Sequence, residues 1–160
     1  MKIKIFTTGG SIDKFYSWQT SRFEIGEPQI QEIFKEANVN LKYTLEKLIK
    51  KDSLDFTKKD RCLIYQRIRK SREKFFVITH GTDTMVETAK FLSDIQGKVI
   101  VLTGSMKPAK FKDSDAAFNV GTAIAAVQTL SPGVYIAMSG RVFPYHGVRK
   151  NRKLGRFESI

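Results

Sequence analysis

Three segments of the 160-residue chain set hydroxyl side chains beside glycine: Thr8-Gly9-Gly10-Ser11, His80-Gly81-Thr82-Asp83-Thr84 and Thr103-Gly104-Ser105. Each follows an apolar run. Glycine lets a ligand approach the backbone closely, and amide groups that open a helix after a strand stabilise negative charge on a phosphate or an oxyanion. Neither G-x-G-x-x-G after the first apolar run nor a P-loop is present, which argues against a nucleotide. Any one of these segments alone also reads as a turn glycine with a helix cap. A hydroxyl that attacks a carbonyl needs a base and a group to orient that base. The two histidines, His80 and His146, are poor candidates: His80 precedes a glycine at a strand end and shapes the turn, and His146 lies in a loop. A confined lysine held by an aspartate serves the same purpose, so a Thr-Lys-Asp arrangement is chemically sensible. Local sequence does not say which of the 28 basic residues supplies it.

These segments need strands and helices to hold them. Lys2–Thr8 alternates lysine with apolar residues and predicts a strand running into Gly9-Gly10. Residues 13–26 show neither period and read as a long loop carrying Tyr16 and Trp18. Pro28 opens a short amphipathic helix up to Asn38, and Leu41–Ile49 reads as a strand. Thr57 caps a helix over Lys58–Ser71, with Leu63, Ile64 and Ile68 inward and Arg61, Arg67, Arg69 and Lys70 outward. Phe75–Thr79 and Lys98–Thr103 are continuously apolar, the pattern of strands covered on both faces. A helix capped by Asp83 or Thr84 runs between them to Asp94. An Ala-rich helix from about Asp115 to Leu130 precedes the strand Val134–Met138, and residues 141–160 read as loop with some short strand. Five strands alternating with four helices predict an α/β fold: one three-layer α/β/α domain over residues 1–160 with a mostly parallel sheet, Rossmann-like or flavodoxin-like. Ligands are then expected beyond the carboxyl ends of the strands.

Composition narrows the class further. Cys62 is the only cysteine, which excludes an internal disulfide, and no Cys/His cluster suggests a metal. No apolar run is long enough to span a membrane, and the first ten residues do not read as a signal peptide, so a cytoplasmic protein is expected. The net charge of +12 raises a polyanion partner. Twelve Lys/Arg against five acids lie between Lys42 and Lys74. They fall mainly on the exposed side of a helix and no nucleic-acid motif accompanies them, so nucleic-acid binding is not expected as the main role.

Four blocks, Thr8-Gly9-Gly10-Ser11-Ile12, Asp52-Ser53-Leu54-Asp55, His80-Gly81-Thr82-Asp83-Thr84-Met85 and Gly104-Ser105-Met106-Lys107-Pro108, with Phe118-Asn119 beyond the last, resemble in order and content the bacterial-type L-asparaginase family. The resemblance implies hydrolysis of L-asparagine to L-aspartate and ammonia through an acyl-enzyme and without a cofactor, with the choice between L-asparagine and L-glutamine left open. It places a hydroxyl nucleophile on Ser11, where most members carry threonine. A second set falls on Thr82, Asp83 and Lys150, the lysine from the spacing of Val142-Phe143 and Val148-Arg149-Lys150. The order in which Ser11 and Thr82 act is left open. By the same resemblance Gly10 and Ser53 contact substrate, Ser53 and Asp83 grip its α-carboxylate and α-ammonium, and backbone groups around Thr82 and Ser105 hold its amide. Three departures stand out: Phe23 where the family has a loop tyrosine, with Tyr16 in the same loop; Leu54 where many members have a polar residue; and a chain that stops where members usually continue into a second domain. A short-chain member is expected, its pocket closed by a further copy in a homo-oligomer. The alternative is an amino-acid or amide-binding module with little turnover.

Overall fold

The computed structural model describes residues 1–160 as a three-layer α/β/α arrangement. Strand β1 (Ile3–Gly9) pairs on one side with β4 (Tyr43–Lys51) and on the other with β5 (Phe75–Thr79), followed by β6 (Val99–Thr103) and β7 (Gly133–Met138), all parallel; β8 (Arg141–Pro144) closes the edge antiparallel to β7. Alternation along the strands divides the core. Phe6, Phe76, Ile78, Ile100 and Leu102 face the layer of α2 (Lys58–Lys70) and α3 (Met85–Phe91). Ile3, Ile5, Val77, Val99 and Val101 face α1 (Ile30–Glu36) and α4 (Ala116–Thr129). Both faces of β5 and β6 are covered, which is why these two strands read as unbroken apolar runs.

Local chemistry sets the helix starts. Thr57 and Asp60 form a capping box: the Asp60 amide donates to Thr57 Oγ1 at 3.3 Å and the Thr57 amide donates to Asp60 Oδ2 at 2.8 Å. At α3 the expected side-chain cap is absent; Thr84 is the N-cap residue, but its hydroxyl donates to the Ser53 carbonyl at 2.8 Å. Leu63, expected inward, is exposed, whereas Arg61, expected outward, is largely buried and reaches Thr88 and Glu87.

The segment 13–26 is a hairpin, not a structureless loop. Strands β2 (Lys14–Ser17) and β3 (Arg22–Ile25) pair antiparallel with Tyr16 opposite Phe23. The tail also forms a ribbon, β9 (Val148–Asn151) against β10 (Arg156–Ser159), that folds over the end of α3. No helix is long and apolar enough to cross a membrane. From β1 the chain moves outward to β4 and then crosses back to β5, so successive connections leave the β1/β5 pair in opposite directions and open a crevice at its carboxyl end.

Candidate active site

That crevice holds the hydroxyls. Thr8, at the end of β1, donates from Oγ1 to the Thr79 carbonyl of β5 at 2.8 Å and locks the two strand ends together. Immediately beyond, the two glycine turns touch. Gly10 sits at φ 90° and ψ −174°, and a Cβ placed there would lie 2.4 Å from the Gly81 Cα. A Cβ on Gly81 would lie 2.6 Å from Ser53 Oγ, and one on Gly104 would lie 2.3 Å from the His80 carbonyl oxygen. The absence of a side chain at these positions brings the turns carrying Ser11, Ser53, Thr82 and Ser105 into one cluster.

Lys150 reaches this cluster from β9, across 68 residues of sequence. Its Nζ donates to Thr82 Oγ1 at 2.8 Å and to Asp83 Oδ1 at 3.0 Å. Ribbon pairing of Lys150 with Phe157, which is buried against the α3 side of the core, fixes the strand that carries it. Thr82 is 4% exposed and the Lys150 side chain 13%, so the pair is shielded from bulk water. Ser53 is buried; its Oγ accepts the Thr84 amide at 3.4 Å, which leaves the hydroxyl proton free to donate. Ser11 is half-buried and opens the 3₁₀ turn Ser11–Asp13 directly after Gly10. Ser105 sits apart from the polar contacts of the group: its hydroxyl donates back to the Lys107 carbonyl in its own loop. That loop is held by Asp115, whose carboxylate accepts the Met106 and Lys107 amides, and by Asn119, which donates to the Gly104 carbonyl at 3.0 Å.

His80 is fully buried and belongs to the turn. A carbonyl only accepts, so His80 Nδ1 donates to the Gly81 carbonyl at 2.7 Å, and Nε2 accepts from Thr88 Oγ1 at 2.9 Å. Thr88 Oγ1 in turn accepts from Arg61 Nε at 3.2 Å. Burial lowers the imidazole pKa to about 4, against the bond to the Gly81 carbonyl and reinforced by the Arg61 charge, so the ring is neutral at physiological pH. Phe23, at the position of the expected loop tyrosine, carries no hydroxyl and packs with Tyr16 and Phe111, ring centroids 5.6 and 5.9 Å away. Tyr16 also packs edge-on against Trp18 at 5.0 Å, so both rings belong to one exposed aromatic group on the hairpin.

Two site features have no marker in the sequence. Arg152, just past β9, places Nη1 3.1 Å from Asp83 Oδ1. Asp13, 3% exposed, anchors the hairpin base: its carbonyl accepts the Gly26 amide at 2.7 Å and its Oδ1 accepts the Gln29 amide at 2.9 Å. It also lines a cavity of about 30 Å³ with Gly9, Gly26 and Glu27. Burial raises its pKa to about 7, with Glu27 adding to the rise and the Gln29 amide opposing it. Between the unfolded value of 3.8 and about 7, the folded chain holds a proton that the unfolded chain has lost. Stability therefore falls as pH rises through that window and levels off above it. Asp13→Asn is expected to flatten this slope and to raise unfolding stability at pH 8 by on the order of 2–4 kcal/mol. Urea unfolding from pH 5 to 8 measures it; parallel curves for the two proteins would show that Asp13 does not carry the shift.

Residues 2–159 match the family model described as asparaginase, N-terminal. An L-asparaginase from Thermococcus kodakarensis is 39% identical over 89 residues, 52% of this chain and 27% of that protein. A component of the glutamyl-tRNA(Gln) amidotransferase of Methanococcus maripaludis is 30% identical over 164 residues, 95% of this chain and 39% of that protein. The solved structure of the thermostable L-asparaginase from Thermococcus kodakarensis superposes with a TM-score of 0.86 at 28% identity, covering all of this chain and 51% of that one. The chain thus spans between a quarter and about half of the length of these relatives. With its model matched almost end to end and its fold shared with a solved member, the chain belongs to the asparaginase family, in the part that forms the N-terminal region.

Proposed function

We propose that the protein is an amidohydrolase that releases ammonia from L-asparagine, and that its chemistry runs through Ser11 and the Thr82–Lys150–Asp83 group. One observation carries the reading: a shielded lysine bridges a buried threonine hydroxyl and an aspartate beside a second hydroxyl-bearing turn. The Ser11 oxygen attacks the carboxamide carbon while its proton passes to the Thr82–Lys150 chain. The tetrahedral centre collapses as the carbon–nitrogen bond breaks, and the leaving nitrogen takes a proton to depart as ammonia. Water then attacks the Ser11 ester, restoring the hydroxyl and releasing the carboxylate. Amides at the touching glycine turns are suited to stabilise the oxyanion formed in both steps. Asp83 binds the substrate ammonium and Ser53 donates to its α-carboxylate. The substrate is a free amino acid, with no cofactor, and a further copy of the chain closes the pocket.

The test is release of ammonia and aspartate in equal amounts from asparagine, with glutamine run in parallel. Ser11→Ala is expected to lower the rate by on the order of 10² or more with the fold retained. Saturable asparagine binding without ammonia would favour a binding module instead. Turnover unchanged in Ser11→Ala would remove Ser11 as the nucleophile.

A further inference from the structure

Asp83 faces two basic side chains through a single oxygen. Lys150 Nζ and Arg152 Nη1 lie 3.0 and 3.1 Å from Oδ1. They are not equivalent. The Lys150 side chain is shielded and also tied to Thr82, whereas the Arg152 side chain is 67% exposed and rides on the turn after β9, which the Asn151 side chain caps by accepting the Leu154 amide at 3.1 Å. Arg152 thus keeps most of its five donors available at the mouth of the crevice.

We infer that Arg152 is a specificity-determining residue that reads the α-carboxylate of the substrate, an inference that rests on the amino-acid hydrolysis proposed above. An amino acid presents an ammonium and a carboxylate on one carbon, the mirror of the Asp83–Arg152 pair. When the ammonium takes Asp83, the guanidinium is released next to the carboxylate bonded to the same carbon. One internal ion pair is thereby exchanged for two pairs with the ligand. The internal pair is exposed on its Arg side and hence weak, so parting it costs little, while a forked guanidinium–carboxylate contact is stronger than a neutral hydrogen bond. The rest of the crevice leaves this role open. Ser53 offers one hydroxyl, its neighbour Leu54 is an exposed apolar side chain with nothing to donate, and Lys150 is committed to Thr82. Arg152 supplies the charge that Leu54 lacks, and it reaches the site only because the β9–β10 ribbon folds over the end of α3.

Titration calorimetry with three small ligands separates this role from a structural one. L-aspartate carries both groups, β-alanine lacks the α-carboxylate, and succinate lacks the ammonium. Arg152→Ala is expected to weaken L-aspartate by about tenfold or more and succinate in the same direction, and to leave β-alanine unchanged or tighter because a competitor for Asp83 is gone. Arg152→Lys, which keeps the charge and loses the fork, is expected to fall between. Equal weakening of L-aspartate and β-alanine would overturn the inference, as it would make Arg152 a mere support for Asp83; so would no change in either. In both cases L-aspartate still binds and the amidohydrolase reading stands. Failure of the unaltered protein to bind L-aspartate at all would overturn both together.

Discussion

Thr82→Val lowers ammonia release by on the order of 10² to 10⁴, Lys150→Met does so to a similar extent, and the double variant loses little beyond either single one. The expectation follows from geometry. Thr82 Oγ1 and Lys150 Nζ are 2.8 Å apart and Thr82 is almost fully buried, so valine fills the same space and removes only the hydroxyl. Methionine keeps the length of the lysine's apolar stem and removes the amine that joins Thr82 to Asp83. A proton route broken at one member is broken entirely, which is why the losses do not add. Both variants are expected to fold. Asp83 retains Arg152 in Lys150→Met, and the apolar part of the lysine is preserved, so unfolding stability changes by less than about 2 kcal/mol. Ammonia production and urea unfolding, run on the same preparations, decide the matter. Losses that multiply across the double variant would mean that the two residues act independently, and a collapse of stability in Lys150→Met would make that lysine structural.

The second large effect is expected at Gly10. Its φ of 90° and ψ of −174° belong almost exclusively to glycine, and a methyl group there would sit 2.4 Å from the Gly81 Cα and 2.5 Å from the Gly81 nitrogen. Both obstacles are backbone, so no rotamer change relieves them. Gly10→Ala must therefore part the Ser11 and Thr82 turns, with a stability loss of about 3 kcal/mol or more and loss of turnover beyond it. Gly97→Ala provides the contrast: φ is 71°, but nothing lies within 4 Å of the added methyl. Its cost is that of backbone conformation alone, about 1 kcal/mol, with turnover unaffected. If the two substitutions cost the same, contact between the turns does not hold the crevice together.

The elements legible in the sequence are those whose residues are sorted by burial. Phe75–Thr79 and Val99–Thr103 are covered on both faces and show it as unbroken apolar runs; Thr57 and Asp60 announce a helix start with their own side chains. The hairpin at 14–25 is illegible because its faces are not sorted in that way: Tyr16, Trp18 and Phe23 are exposed rings that pack on one another. The β9–β10 ribbon is hidden by its charges, since Arg149, Lys150 and Arg156 read as a solvated tail while Phe157 and Val148 supply the burial. At the site, Lys150 is marked by the spacing of a family motif, and the structure brings it to Thr82 and Asp83. Arg152 has no such marker. It is one of 28 basic residues, and only the ribbon's position over α3 distinguishes it. The raised pKa of Asp13 is equally out of reach, because it comes from the burial that the hairpin base and the start of α1 impose together.

The hairpin also gives the molecule a built-in optical marker. Trp18, 87% exposed, is the only tryptophan in the chain, and it stands at the hairpin's tip against the ring of Tyr16. Indole emission excited beyond the tyrosine band therefore originates from one place, and its wavelength and quenching follow the hydration of that single ring without any label being attached.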